Sequence, residues 1–240
     1  MRLTLLEESN PVFPSVTEAL SQPDGLLAVG GNLYPETLSK AYERAIFPWY
    51  TDDEPILWWS PSNRCVLMPE NFYISRSLRR VLRQKYYSVT SDMCFRDVVV
   101  ACSKPRDSCG TWINSAMIDA YSDLHNQGQA HSIEVWDKKK LVGGIYGVLV
   151  GGVFSGESMF SVVNNGSKIA MAHLCQYMSR AGMFCLDCQI ENSHLMTLGT
   201  ELIPRSTFVE HLSKSLDVEF LWDFNLSLIH ISEPTRPLII

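Results

Sequence analysis

The stretch between Lys140 and Glu157 contains no charged residue and is broken by Gly143, Gly144, Gly147, Gly151, Gly152 and Gly156. A long helix is a poor home for it, since each interior glycine costs about 1 kcal/mol against alanine. It is also too short for the ~20 apolar residues of a membrane-crossing helix. Extended chain folded back on itself fits better. Residues 132–136 (SIEVW) alternate as a strand, residues 137–140 (DKKK) make a turn, and residues 141–150 return. The Gly151-Gly152 pair then precedes another strand through Phe160.

Helices flank this β region in the reading. They cover residues 114–127, stopping at Gly128, residues 167–180 and residues 205–216, with a strand at 184–190 between the last two. The pattern is that of an α+β domain. The first sixty residues differ, being rich in Pro, Gly and Trp. Pro35 opens a helix over 35–46, with Leu38, Ala41, Tyr42, Ala45 and Ile46 at helical spacing, and Pro48 ends it. An acidic turn (52–55) and an aromatic segment (56–61) follow. The 240 residues suit one large domain or two modest ones, and 46% hydrophobic content excludes global disorder. No internal repeat is present. Residues 227–237 (SLIHISEPTRP) read as a translated sequencing-adapter fragment, so 226–240 are expected to be a non-native tail.

The seven cysteines are odd in number and irregularly spaced, which does not suit a disulfide framework. Residues 1–10 carry two acids and lack the apolar core of a signal peptide. A cytoplasmic address is the expectation. Cys185 and Cys188 have C-x-x-C spacing, but nothing completes a zinc set, and a strand would turn them to opposite faces. No metal site is expected. The six histidines are scattered, with no HExxH.

A net charge of −6, from 20 Lys+Arg and 26 Asp+Glu, argues against a non-specific nucleic-acid coat. It leaves room for a local basic site. Residues 74–85 (ISRSLRRVLRQK) place Arg76, Arg79, Arg80 and Arg83 on one helical face, with Leu78, Val81 and Leu82 on the other. The arginine face is either a solvated surface or a phosphate-backbone site. No acid lies between residues 71 and 91 to pair with it.

Two acids stand out on strands. Alternation over 184–190 places Phe184, Leu186, Cys188 and Ile190 on one face, and Cys185, Asp187 and Gln189 on the other. Asp187 and Gln189 are then either a structural network or a site in which Asp187 orients and polarises Gln189. Glu157 and Met159 share a face in a Gly-rich apolar neighbourhood. Glu157 is either an exposed edge-strand residue or a buried group that binds a cation or acts as a base. Trp49, Trp58, Trp59 and Trp112 are either core or stacking surfaces for a nucleobase.

These residues carry a resemblance. The runs GLLAVGG (25–31), IFPW (46–49), ILWWSP (56–61), GTWI (110–113), HSIEVW (131–136), LVGGIYG (141–147), GESMF (156–160) and DCQ (187–189) occur in this order. Over about residues 10–220 the chain resembles the bacterial leucyl/phenylalanyl-tRNA–protein transferase family. The resemblance implies a small N-terminal α/β domain (1–62) joined to a GNAT-like acyltransferase domain (63–225) that carries the basic helix. It implies transfer of Leu, Phe and, less readily, Met from aminoacyl-tRNA to proteins with N-terminal Arg or Lys, marking them for N-end rule degradation. With the address read from the residues, the expectation is a cytoplasmic monomer with no membrane partner.

The family's residue roles carry over as expectations. Asp187, Gln189 and Glu157 form the catalytic site, with Asp187 polarising Gln189 and Gln189 contacting the attacking amine. Trp49 and Trp112 bracket the terminal adenosine. Phe154, Met159 and Ile145 shape the amino-acid pocket. Arg76, Arg79, Arg80 and Arg83 bind tRNA. Family members often carry Met where this chain has Ile145, and a methylene-sized pocket change is worth about 1–3 kcal/mol. No cofactor is implied, because an aminoacyl ester is already activated. Two alternatives remain. An acetyl-CoA-dependent GNAT enzyme needs a Gly-rich pyrophosphate loop, which residues 164–168 (NNGSK) do not supply. A non-catalytic tRNA-binding module would not need Asp187 and Gln189.

Overall fold

The computed structural model describes residues 3–104, 112–218 and 220–224. The expected tail, Cys109, and Gly110 and Thr111 of the GTWI run lie outside the described residues.

Strands β1 (Thr4–Leu6), β2 (Leu26–Gly30), β3 (Phe47–Pro48) and β4 (Leu57–Trp59) form a four-stranded sheet in the order β1-β2-β4-β3. Helix α1 (Pro35–Tyr42) lies between β2 and β3. Pro35 occupies its first turn, where a missing N–H costs nothing, and Glu36 and Lys40 put an acid and a base at the ends of the helix dipole that each suits. It stops short of the expected residue 46. Ala45 takes a left-handed φ of 61°, and Ile46 N–H donates back to Ala41 O at 2.9 Å, closing the helix before Pro48 is reached.

The second sheet has seven strands: β5 (Asn63–Leu67), β6 (Ser88–Ser91), β7 (Ala130–Asp137), β8 (Lys140–Val150), β9 (Val153–Ser161), β10 (Cys185–Asp187) and β11 (Glu201–Pro204). Their order is β11-β5-β10-β9-β8-β7-β6. The three strands read around the glycine run are its centre, paired antiparallel as β7-β8-β9. The glycines let other chain come close. A Cβ at Gly143 would sit 2.6 Å from the Gly166 carbonyl carbon, so its absence seats the start of α5 (Gly166–Ala181) on the sheet.

Helices cover both faces. On one side α5 and α2 (Arg76–Gln84) enclose a core that includes Leu78, Ile145, Phe154, Met171, Leu174 and Leu186. On the other, α3 (Phe95–Cys102), α4 (Ser115–Asn126) and α1 share one core with Trp58, Tyr146 and Phe160. That core draws on both sheets, so they are packed together. Helix α7 (Arg205–Ser215) closes a third cluster over Val66, Val153 and Cys185. Short helix α6 (Ser193–Met196) follows β10. Cys185 and Cys188 fall in different clusters, on opposite sides of the sheet.

Helix α2 starts at Arg76 because Ser75 caps it, accepting the Leu78 N–H at 3.2 Å. Leu78 is buried, Val81 and Leu82 are half-buried, and Arg76, Arg79, Arg80 and Arg83 are all exposed. Among the described residues, no helix is long and apolar enough to cross a membrane.

Candidate active site

Strands β9 and β10 run parallel, paired up to Ser155 and Asp187. Beyond that point both lose regular alternation. On β9 the register against β8 shifts between Tyr146 and Gly147, which pair with Ser158 and Gly156, leaving Glu157 as the extra residue of a β-bulge. On β10 the strand ends at Asp187. Cys188 N–H donates to Cys65 O at 2.8 Å, while Cys65 N–H donates to Gln189 O at 3.1 Å, so two residues face one. Gln189 has a left-handed φ of 57°, uncommon outside glycine. Between the two irregularities opens a cavity of about 420 Å³. Ile145, Met159, Met171 and Leu186 give it an apolar wall, and Glu157 and Gln189 bring polar groups to it.

This geometry corrects the expected strand over 184–190. The regular strand is three residues long, and the turn swings Gln189 to the cavity side with Leu186 and Cys188, away from Asp187. It also corrects the shared face of Glu157 and Met159. The bulge sends the Glu157 carboxylate to Tyr121, whereas Met159 packs with Ile145 on the α5 side, and the cavity takes in both. Nor does Glu157 lie on an edge, since β9 sits between β8 and β10.

Asp187 is fully buried. Each carboxylate oxygen accepts two hydrogen bonds. Oδ1 takes Arg64 Nε at 2.8 Å and Gln189 N–H at 2.9 Å, and Oδ2 takes Arg64 Nη2 at 2.7 Å and Ser155 Oγ at 3.1 Å. The Arg64 and Asp187 side chains are 3% and 0% exposed. Phe47 and Phe208 sandwich the guanidinium, each ring centroid 4.8 Å from Arg64 Cζ. Asp187 therefore acts on Gln189 through the backbone, accepting the N–H of a residue held in a costly conformation. Arg64 escaped the sequence reading. Its signal was a lone cation opening the apolar run CVL on a strand, where a buried acid elsewhere would need a counter-charge.

Glu157 anchors a second network. Tyr121 Oη donates to Glu157 Oε2 at 2.7 Å, Tyr42 Oη lies 2.6 Å from Tyr121 Oη, and Gln189 Nε2 donates to Glu157 Oε1 at 3.4 Å. Burial pushes the Glu157 carboxyl up to about 7, outweighing the tyrosine hydrogen bonds that lower it. Burial, and then the Glu157 charge, hold Tyr42 and Tyr121 well above the usual phenol range, so they remain neutral donors. Sequence reading had placed Tyr42 only on the apolar face of its helix and gave Tyr121 no role.

The other expected residues divide. Ile145 and Met159 line the cavity. Phe154 does not. It is fully buried on β9 before the bulge, where its ring stacks at 5.5 Å on Trp222. Neither tryptophan expected to hold adenosine is on the cavity wall. Trp49 is 44% exposed and packs edge-on to Trp59 at 5.7 Å. Trp112 is half-buried against the core shared by the two sheets. The arginine helix packs on α5, which contributes Met171 to the cavity.

Known proteins supply a comparison. The family profile for leucyl/phenylalanyl-tRNA protein transferase matches residues 66–213, and the profile for its N-terminal domain matches residues 31–62. A leucyl/phenylalanyl-tRNA–protein transferase of Nitrosospira multiformis is 52% identical over 86% of this chain and 89% of its own. One from Yersinia enterocolitica is 50% identical over 89% of this chain and 90% of its own. Among solved structures, L-PGS from Bacillus licheniformis aligns with a TM-score of 0.35 at 13% identity, covering 69% of this chain and 53% of that one.

Proposed function

The chain belongs to the leucyl/phenylalanyl-tRNA protein transferase family, and on that premise we propose that the cavity between β9 and β10 receives the amino-acid side chain of an aminoacyl-tRNA. The observation that carries this reading is the pair of bulges, which bring Glu157 and Gln189 together at the rim of an apolar cavity of about 420 Å³. Apolar walls suit leucyl, phenylalanyl and methionyl side chains, and the polar rim suits the reacting ester and amine.

The acceptor is the α-amine of a protein that begins with Arg or Lys. Its nitrogen attacks the ester carbonyl carbon, an amide bond forms, and the ester C–O bond breaks to release the ribose hydroxyl. Such an amine has a pKa of about 7.7–8.0. The Glu157 carboxyl, at about 7, is matched to accept its hydrogen bond and proton. Gln189 presents its amide to the same amine, and Asp187 with Arg64 fixes the backbone turn that carries Gln189. Placing amine and ester together supplies much of the rate. Trp49 and Trp112 serve the terminal adenosine outside the cavity.

A GNAT-like reading of the second sheet rests on the parting of the parallel pair β9 and β10 at the site. The domain boundary is proposed at residue 62, between β4 and β5. The enzyme works as a cytoplasmic monomer.

The four exposed arginines of α2 are the tRNA-backbone contact. Arg80→Ala is expected to weaken tRNA binding and reduce its log-log salt slope by about one. Transfer at saturating tRNA should persist. Filter binding of Phe-tRNA across a salt series checks this, and an unchanged slope would remove Arg80 from the interface.

A further inference from the structure

Two thiols meet behind the cavity. Strands β5 and β10 pair Leu67 with Leu186 and Val66 with Asp187, and at the bulge beyond them Cys188 and Gln189 both face Cys65. Cys188 N–H donates to Cys65 O at 2.8 Å. Hydrogen-bonded antiparallel partners have Cα atoms ~5.5 Å apart, inside the ~4.4–6.8 Å that a disulfide spans. Both side chains lie in the same buried cluster and interact, and the Cys188 thiol also reaches Leu186 O at 3.9 Å. Cys188 is part of the cavity wall, Cys65 is buried behind it, and both are free thiols.

We propose that Cys65 and Cys188 form an oxidation site, at which a hydroperoxide entering the cavity makes a cross-strand disulfide and stops transfer. The peroxide passes the Cys188 wall, the Cys65 thiolate attacks one of its oxygens, the O–O bond breaks, and the departing oxygen takes a proton to leave as water or an alcohol. The resulting sulfenic acid is then attacked by the second sulfur. The S–S bond forms, the S–O bond breaks, and the hydroxyl leaves with the second thiol's proton as water. Two thiols are oxidised and one peroxide bond is reduced, so the balance closes.

The surroundings favour this pair. The hydrogen bond from Cys188 draws the Cys65 thiol down to about 7, with Thr200 helping and burial opposing. Burial pushes Cys94 and Cys175 up to about 12. The same contact, and then burial, push the Cys188 thiol well above its usual range, so Cys65 is the thiolate of the pair and Cys188 the thiol that follows. The consequence of oxidation comes from position. Cys188 lies between Asp187 and Gln189, and drawing its sulfur to ~2.05 Å from Cys65 tightens the turn that aims Gln189. A ~1 Å displacement of a reacting group costs about 100-fold in rate.

The loss of transfer rests on the functional reading above, whereas formation of the bond does not. The test exposes the full chain to hydrogen peroxide, caps remaining thiols with a maleimide, and maps the peptides by mass spectrometry. Transfer is assayed before oxidation, after it, and after dithiothreitol. The expected result is a peptide pair joined through Cys65 and Cys188, lighter by two hydrogen atoms. Transfer should fall about 100-fold and return on reduction. Cys65→Ser should keep basal transfer and resist the loss. Separately capped Cys65 and Cys188 after peroxide would overturn the proposal, as would full transfer by the mapped disulfide form. A reduced protein with no transfer would count against the functional reading alone, and the peptide map would still decide the pair.

Discussion

Asp187→Ala is expected to destabilise the protein by about 3–5 kcal/mol, because it strands Arg64 as a buried, unpaired cation. The substitution removes all four hydrogen bonds that the carboxylate accepts. Two effects are therefore mixed in this variant, lost stability and a lost anchor for Gln189. A second variant separates them. Replacing both members, Asp187→Leu with Arg64→Met, removes the stranded charge and should recover most of the stability, since buried pairs are often replaceable by apolar groups of similar size. Transfer should stay lost in the double variant, because nothing then accepts the Gln189 N–H. Denaturant unfolding checks the first statement and single-turnover transfer the second. An Asp187→Ala protein as stable as the parent would remove the ion pair from its structural role.

Glu157→Gln is expected to lower transfer by about 10²–10⁴-fold, the usual contribution of a positioned acid–base group. The carboxyl is pushed up to about 7 by burial, so its ionised fraction grows as pH rises through that value. Parent activity should climb through the same window and then level, and the Gln variant should lack this limb. Stability should move in the opposite sense. The folded-state pKa lies above the unfolded value of about 4.3, so the protonated carboxyl favours the fold at low pH. That advantage is lost as pH rises through about 7. The amide carries no such penalty, so Glu157→Gln should be more stable than the parent at about pH 8 and show no gain near pH 4. A Gln variant that keeps the activity limb would place the titrating group elsewhere.

The central sheet was legible because its glycines and its alternation act locally. The run between Lys140 and Glu157 left little but strands to form, and β7, β8 and β9 lie where residues 132–160 predicted them. Helices α4, α5 and α7 lie within a residue or two of the spans predicted for them. The short strands β1, β2 and β11 were not read, since three to five residues carry too little pattern. The site was legible only in part. Asp187, Gln189 and Glu157 could be singled out as polar residues costly to bury on strands. Their arrangement could not, because two bulges decide it and a bulge shifts register without a fixed sequence mark. Arg64 and Tyr121 lie 123 and 36 residues from the groups they contact, a distance along the chain that no periodicity reports. Phe154 shows the same limit in reverse. Its family pattern suggested the pocket, and the structure buries it before the β9 bulge, in one cluster with the cavity-lining Ile145 and Leu186 and stacked on Trp222.

The most direct test incubates the protein with Phe-tRNA labelled on the amino acid and a peptide beginning with Arg. A peptide of the same sequence after an N-terminal Ala serves as control. Label is expected to leave the tRNA and appear in amide linkage on the Arg peptide, without ATP, and Glu157→Gln is expected largely to abolish this. Binding of intact Phe-tRNA with no label on either peptide would contradict the proposed transfer.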